Sequence, residues 1–189
     1  GPASLAFDPA ATDVSLVYAF DPARVLDEGI RTLFTTGRNR QVSPRYRLHL
    51  KPPFGWMNDP NGLSEAGGRM HLFYQHYPHS LRWNTMHWGH AASRNGIDWA
   101  DQPIFLLPRA EMLASDAKTG GVFSGSAVPQ ADGSLRVFYT DREDDRTPNW
   151  EWQMTAVSTD LLAPGEATPV VTETPDLPGY RKDFRDPYV

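Results

Sequence analysis

From Arg45 onward the hydrophobic and polar positions alternate in short runs of five to nine residues, the period of half-buried strands. Arg69–Tyr77 (RMHLFYQHY) follows a Gly67-Gly68 turn. Met86–Ser93 (MHWGHAAS) comes next, then Asn95-Gly96 and a short Ile97–Asp101 run. Ser124–Gln130, an Ala131-Asp132-Gly133-Ser134 turn and Leu135–Asp141 predict a second hairpin, and Glu151–Ser158 (EWQMTAVS) predicts a further strand. Gly-Gly, Asn-Gly and Asp-Gly between such runs are hairpin signals, because these turns need positive φ. Residues 1–45 read differently. Leu16–Phe20 is a short apolar run that predicts a strand. Asp21-Pro22 then reads as a helix start, with Val25, Leu26, Ile30, Leu33 and Phe34 at helical spacing and Gly37 as the stop. This segment carries no chemical motif and is expected to pack on the outside of a main domain.

The strand pattern repeats. Phe73-Tyr74-Gln75 matches Phe138-Tyr139-Thr140 at an offset of 65, and Ala91-Ala92-Ser93 matches Ala156-Val157-Ser158 at the same offset. A four-stranded unit repeated at a fixed period predicts propeller blades, with duplicated hairpins of a sandwich as the alternative. The register also sorts the polar motifs. Asp59 opens the first copy, Ser124 stands 65 positions later at the start of the second, and Asp186 lies 62 further on. Innermost strands of successive blades line one channel, so these three are expected to converge at one mouth.

Composition narrows the class. The chain has 189 residues, 17 prolines, 15 glycines, 12% aromatics and no cysteine. Zero cysteine excludes a disulfide scaffold, thiolate metal sites and a cysteine nucleophile in this chain. With 18 basic and 23 acidic residues the formal charge is -5, against the basic excess of a nucleic-acid surface. No apolar run approaches the ~20 residues of a membrane helix. No basic-then-apolar leader opens the chain, although Gly1-Pro2-Ala3-Ser4 is compatible with a removed one. A cytoplasmic location is therefore the expectation.

Two acidic-proline motifs hold the candidate chemistry. Trp56-Met57-Asn58-Asp59-Pro60-Asn61-Gly62 reads on composition alone as a turn. Phe184-Arg185-Asp186-Pro187 reads alone as an ion pair at a turn. Their common register weakens both plain readings, because a pair of carboxylates is the machinery of glycoside hydrolysis. Trp56, Trp83, Trp88 and Phe123 flank the motifs and suit the apolar faces of sugar rings, with Trp88 the better fit to a core. His87 and His90 are three apart on a strand, on opposite faces, so no metal site is expected.

WMNDPNG at 56–62, HLFYQ at 71–75, MHWGHA at 86–91, FSGSAV at 123–128 and FRDP at 184–187 together resemble glycoside hydrolase family 32, the invertase, fructanase and sucrose-6-phosphate hydrolase family. The resemblance covers about Tyr46 to Val189. It implies an all-β chain from a five-bladed β-propeller, here about the first two blades and the start of a third over residues 46–189, preceded by the extension 1–45. It implies Asp59 as nucleophile and Asp186 as transition-state stabiliser. It also implies Asn58, Gln75, Trp83, Phe123, Ser124 and Arg185 as substrate-binding residues. The implied reaction is retaining hydrolysis of terminal β-D-fructofuranosyl residues from sucrose or short fructans, without a cofactor. A fructosyltransferase using the same nucleophile, a non-catalytic carbohydrate-binding fragment and one piece of a split enzyme are the alternatives.

The sequence departs from the family pattern at Tyr77-Pro78 and at Trp83-Asn84-Thr85-Met86, near the expected entrance. The family's acid/base glutamate sits well beyond the Arg-Asp-Pro motif. Glu111, Glu143, Glu151, Glu166 and Glu173 are not in place for it. The expectation is that these residues do not form a functional enzyme alone and are completed by a further C-terminal polypeptide or a homo-oligomer. The expected small-molecule partner is a sugar.

Overall fold

The computed structural model describes residues 4–36, 49–114, 118–147, 149–173 and 183–189. Strands β1 (Leu16–Ala19) and β2 (Arg31–Thr35) form an antiparallel ribbon around the one-turn helix α1 (Val25–Glu28). Strands β3 (Trp56–Ala66), β4 (Arg69–Tyr77), β5 (His87–Ser93) and β6 (Ala100–Asp101) form a four-stranded antiparallel sheet in chain order. The short helix α2 (Ala110–Leu113) follows. Then β7 (Gly120–Pro129), β8 (Leu135–Glu143), β9 (Glu151–Ser158) and β10 (Thr168–Val171) form a second such sheet.

The two sheets share one register. Phe73 faces His90 across β4 and β5, and Phe138 faces Thr155 across β8 and β9, each 65 positions on. Asn61 pairs with Phe73, as Ser126 pairs with Phe138. Both first strands carry an irregularity at the same place, between Asn58 and Pro60 and between Phe123 and Gly125. Asp59 and Ser124 are thus equivalent residues, each left out of the ladder by a bulge. The Asp-Pro motif at 56–62 is therefore part of a strand and not a simple turn. Pro60 is tolerated because β3 is an edge strand and the bulge relieves the missing N–H.

The helix expected over Pro22–Phe34 is cut short. A turn does start at Asp21, with Oδ1 accepting from the Ala23 N–H at 3.0 Å and its carbonyl from the Val25 N–H at 2.8 Å, but the helix itself begins at Val25 with Arg24 as its N-cap and no side-chain cap. Gly29 then adopts φ 73°, a left-handed conformation that ends the turn at little cost. Ile30 N–H goes to Asp101 O at 2.8 Å, and the next residues pair with β1, Phe34 opposite Val17. Leu33 and Phe34 are consequently exposed. The expected stop at Gly37 and the boundary between 45 and 46 lie outside the described residues. The ribbon and α1 sit against the first sheet. Asp27 accepts from both Arg69 (2.6 Å) and Arg94 (2.8 Å), Val25 is buried, and Gln102 Nε2 donates to Val25 O at 2.9 Å.

The core lies where the sheets meet, with Phe73, Trp88, Phe105, Val122, Leu135, Val137 and Tyr139 at its centre. Trp88 reaches across, its ring edge-on to Tyr139 at 6.2 Å and its Nε1 donating to Phe123 O at 3.0 Å. His90 packs inward on Phe73 at 4.6 Å and beside His71, whose Nδ1 lies 2.9 Å from His90 Nε2. His87 lies on the other face, near Tyr77 and His79.

Burial keeps several of these histidines neutral. Desolvation lowers His76 to about 4 and His87 to about 3, and it lowers His71 and His90 as well. An unfolded histidine takes its proton near pH 6.5. Below that pH the unfolded chain binds protons that the folded chain refuses, so stability is full above 6.5 and is lost as pH falls towards 4. The melting temperature should drop across this window. His76→Asn, whose amide can still donate to Trp56 O, should flatten the drop; an unchanged pH slope in that variant would contradict the assignment.

Candidate active site

Asn58 and Asp59 leave β3 at its bulge, and Phe123 and Ser124 leave β7 at the equivalent bulge. An extra residue in one strand re-aims side chains out of the ladder, which is why bulges gather at functional rims. Gln75 comes from β4 and Trp83 from the loop before β5. Arg185 and Asp186 come from residues 183–189, which run beside the second sheet. All eight line one cavity of about 370 Å³, together with Arg142, Asp144 and Asp183. The expected convergence of Asp59, Ser124 and Asp186 is thus present, across 128 positions of sequence.

The walls are tied down. Asn58 Oδ1 accepts from Trp56 Nε1 at 2.7 Å, and Gln75 Nε2 donates to Val122 O at 3.0 Å. Trp83 and Phe123 meet edge to face at 6.2 Å, with Trp83 45% exposed at the rim. Trp88 lies in the core and Trp56 is held as a partner of Asn58, so neither is among the cavity-lining residues.

The Asp186 side is more constrained. Asp186 has φ 61°, a left-handed backbone that costs a non-glycine residue about 1–3 kcal/mol and persists only where the surroundings over-determine it. Its N–H donates to Thr140 Oγ1 at 3.1 Å. Partial burial pushes its carboxyl above the ordinary carboxylate range. Arg185, with Nε 3.9 Å away, opposes this, while Asp59, Glu151 and Asp183 add to it. The negative charges of Asp59, Glu151 and Asp183 thus oppose the ionisation of Asp186.

Composition and motif spacing missed Arg142, Asp144 and Asp183. Arg142 lies over the Phe123 ring at 5.6 Å, and its Nε donates to Asp144 Oδ1 at 2.6 Å. Asp183 accepts from Arg185 Nη1 at 2.6 Å. The available signal was weak: a charged run, Asp141–Arg146, at the end of a strand in the repeat.

Residues 49–189 match the glycosyl hydrolases family 32 N-terminal domain. The chain belongs to that family. It is 50% identical over 93 residues to a sucrose-6-phosphate hydrolase of Escherichia coli, covering 49% of this chain and 18% of that protein. A family 32 glycoside hydrolase structure from Bifidobacterium adolescentis superposes with TM-score 0.74 at 30% identity, over 85% of this chain and 29% of that one. A Bombyx mori family 32 β-fructofuranosidase mutant in complex with sucrose superposes with TM-score 0.63 at 40% identity, over 76% and 29%. The family 32 chain described here thus spans under a third of the length of each of these three relatives.

The bulge that carries Ser124 gives a direct test. A Cβ added at Gly125 would sit 1.9 Å from Phe138 O. Gly125→Ala should cost ~3 kcal/mol in equilibrium unfolding and displace Ser124. A melting curve like that of the parent would show that the bulge tolerates a side chain.

Proposed function

We propose that this chain supplies the nucleophile side of a retaining β-fructofuranosidase that removes terminal fructose from sucrose or short fructans. The observation that carries the reading is the meeting of Asp59 and Asp186 in one cavity with Asn58, Gln75, Ser124, Arg185, Trp83 and Phe123. Family membership and the sucrose complex of the Bombyx mori relative support the substrate class. The common 65-residue register supports reading the two sheets as successive blades of a five-bladed propeller, with residues 183–189 entering a third.

An Asp59 oxygen attacks the anomeric carbon, the bond to the leaving-group oxygen breaks, and a fructosyl ester forms. Water then attacks the same carbon, so two inversions give net retention. Asp186 and Arg185 hold fructose hydroxyls through charge-assisted hydrogen bonds that tighten as positive charge develops on the ring. Asn58, Gln75 and Ser124 orient the ring polyol, and Trp83 and Phe123 cover its apolar face. The proton for the leaving oxygen comes from a carboxyl outside this cavity wall. Among the described residues lining the cavity there is no glutamate. We assign that group, and the remainder of the propeller, to the complete protein.

Asp59→Asn in the complete protein should lower kcat on sucrose on the order of 10⁴–10⁶-fold while sucrose still binds. Retained turnover would remove Asp59 as nucleophile. Trp83→Ala, at a rim position, should raise KM roughly tenfold, a loss of about 1.4 kcal/mol, with little change in melting temperature. Product analysis at high sucrose separates the transferase alternative: free glucose and fructose are expected, and oligosaccharide as the main product would contradict hydrolysis.

A further inference from the structure

Each sheet grips the segment that follows it, and the same three positions of the sheet make both grips, through different bonds. In the first, Met86 O accepts the Val122 N–H at 3.0 Å, Gln75 Nε2 donates to Val122 O, and Trp88 Nε1 donates to Phe123 O. Moving 65 positions on from Met86, Gln75 and Trp88 gives Glu151, Thr140 and Gln153. Moving 62 on from Val122 gives Phe184. The Phe184 N–H donates to Glu151 Oε2 at 2.6 Å, Gln153 Nε2 donates to Phe184 O at 2.5 Å, and the Asp186 N–H donates to Thr140 Oγ1 at 3.1 Å. Thr140 in turn donates to Gln153 Oε1 at 2.7 Å, which leaves its lone pairs free to accept from Asp186.

One difference stands out. Where Met86 uses its backbone carbonyl, Glu151 uses a side-chain carboxylate. That carboxylate is 2% exposed and also takes Arg142 Nη1 at 2.7 Å and Arg185 Nη1 at 3.3 Å. A single buried charge therefore joins the backbone of the Arg-Asp-Pro motif to two guanidiniums on the cavity wall. A buried carboxylate needs such partners, and removing it would release the Phe184 N–H and leave Arg142 with Asp144 and Arg185 with Asp183.

We propose that Glu151 is a positioning residue: by holding the Phe184 N–H and the Arg185 guanidinium it fixes the segment that aims Asp186 into the cavity, with Thr140 pinning the same segment one step on. Its effect on turnover rests on the function proposed above; its effect on the segment does not. Glu151 also faces Asp186 electrostatically, together with Asp59 from β3, and Asp183 and Arg185 from Asp186's own segment; Arg142 from β8 lines the same cavity.

The experiment compares the complete protein with its Glu151→Gln, Thr140→Val and Thr140→Ser variants by amide hydrogen exchange over residues 183–186 and by sucrose kinetics. Glu151→Gln should speed exchange roughly tenfold. It should lower kcat about 10–100-fold with KM changed much less, as a displaced but intact binding wall predicts. Removing a negative charge that faces Asp186 should move the acid limb of kcat/KM to lower pH. Thr140→Val should reproduce the exchange and kcat effects, and Thr140→Ser should restore both. If Glu151→Gln does not fold, the threonine pair carries the same two readings. Unchanged exchange overturns the proposal. Faster exchange with unchanged kcat in an active parent overturns the catalytic role. A folded parent without activity on sucrose counts against the proposed function, and the exchange result then decides the positioning role by itself.

Discussion

Trp88 belongs to the first sheet and is fully buried, yet its indole N–H reaches Phe123 O on the second at 3.0 Å. Gln75 does the same to Val122 O, and Met86 closes two backbone bonds to Gly120 and Val122. These contacts fix the first strand of one sheet against the body of the one before it. A sheet of four strands buries too little alone, so stacking neighbours supplies the shared core. The polar bonds add what burial cannot, a defined register between sheets. The second sheet's part of the cavity wall inherits that register, because Phe123 and Ser124 sit at and beside the gripped positions.

The same constraint explains why reactive groups survive there. Asp59 and Ser124 are bulge residues, outside the ladder and free to point at solvent. Asp186 is held in a left-handed conformation by Thr140, Gln153 and Glu151 acting on its own and neighbouring backbone. Strained, under-paired positions persist where the surroundings over-determine them, and here the surroundings are the preceding sheet. The aromatic pair joins Trp83, from the loop before β5, to Phe123, from the first strand of the second sheet.

Much of this was legible in the residue pattern. Arg69–Tyr77 follows a Gly67-Gly68 turn and Glu151–Ser158 alternates over most of its length, and both strands form over those bounds. The offset of 65 was visible because Phe-Tyr and Ala-x-Ser recur at matching register positions, with both Ala-x-Ser ends buried. The eight expected residues that line the cavity came from motifs whose spacing survives in sequence. What failed had local causes. Val25 to Phe34 has helical spacing, but a glycine at φ 73° and an open edge on β1 turned its second half into a strand. The strand Thr168–Val171 was missed because its Thr-Pro-Val-Val is short and contains proline, which reads as a loop. Arg142 and Glu151 carried no motif. Their pairing depends on β8 and β9 lying side by side, a neighbourhood no local window contains.

As the proposed nucleophile, Asp59 forms a covalent bond to fructose in the cavity that Asp186 also lines. Acid-quenching the complete protein during turnover of sucrose, followed by peptide mass mapping, tests this most directly. One dehydrated fructose unit attached to the peptide that contains Asp59, and to Asp59 within it, is the predicted result. A modified peptide elsewhere in the chain would contradict the account, as would an unmodified protein that is nonetheless turning over with retention of configuration at high burst amplitude.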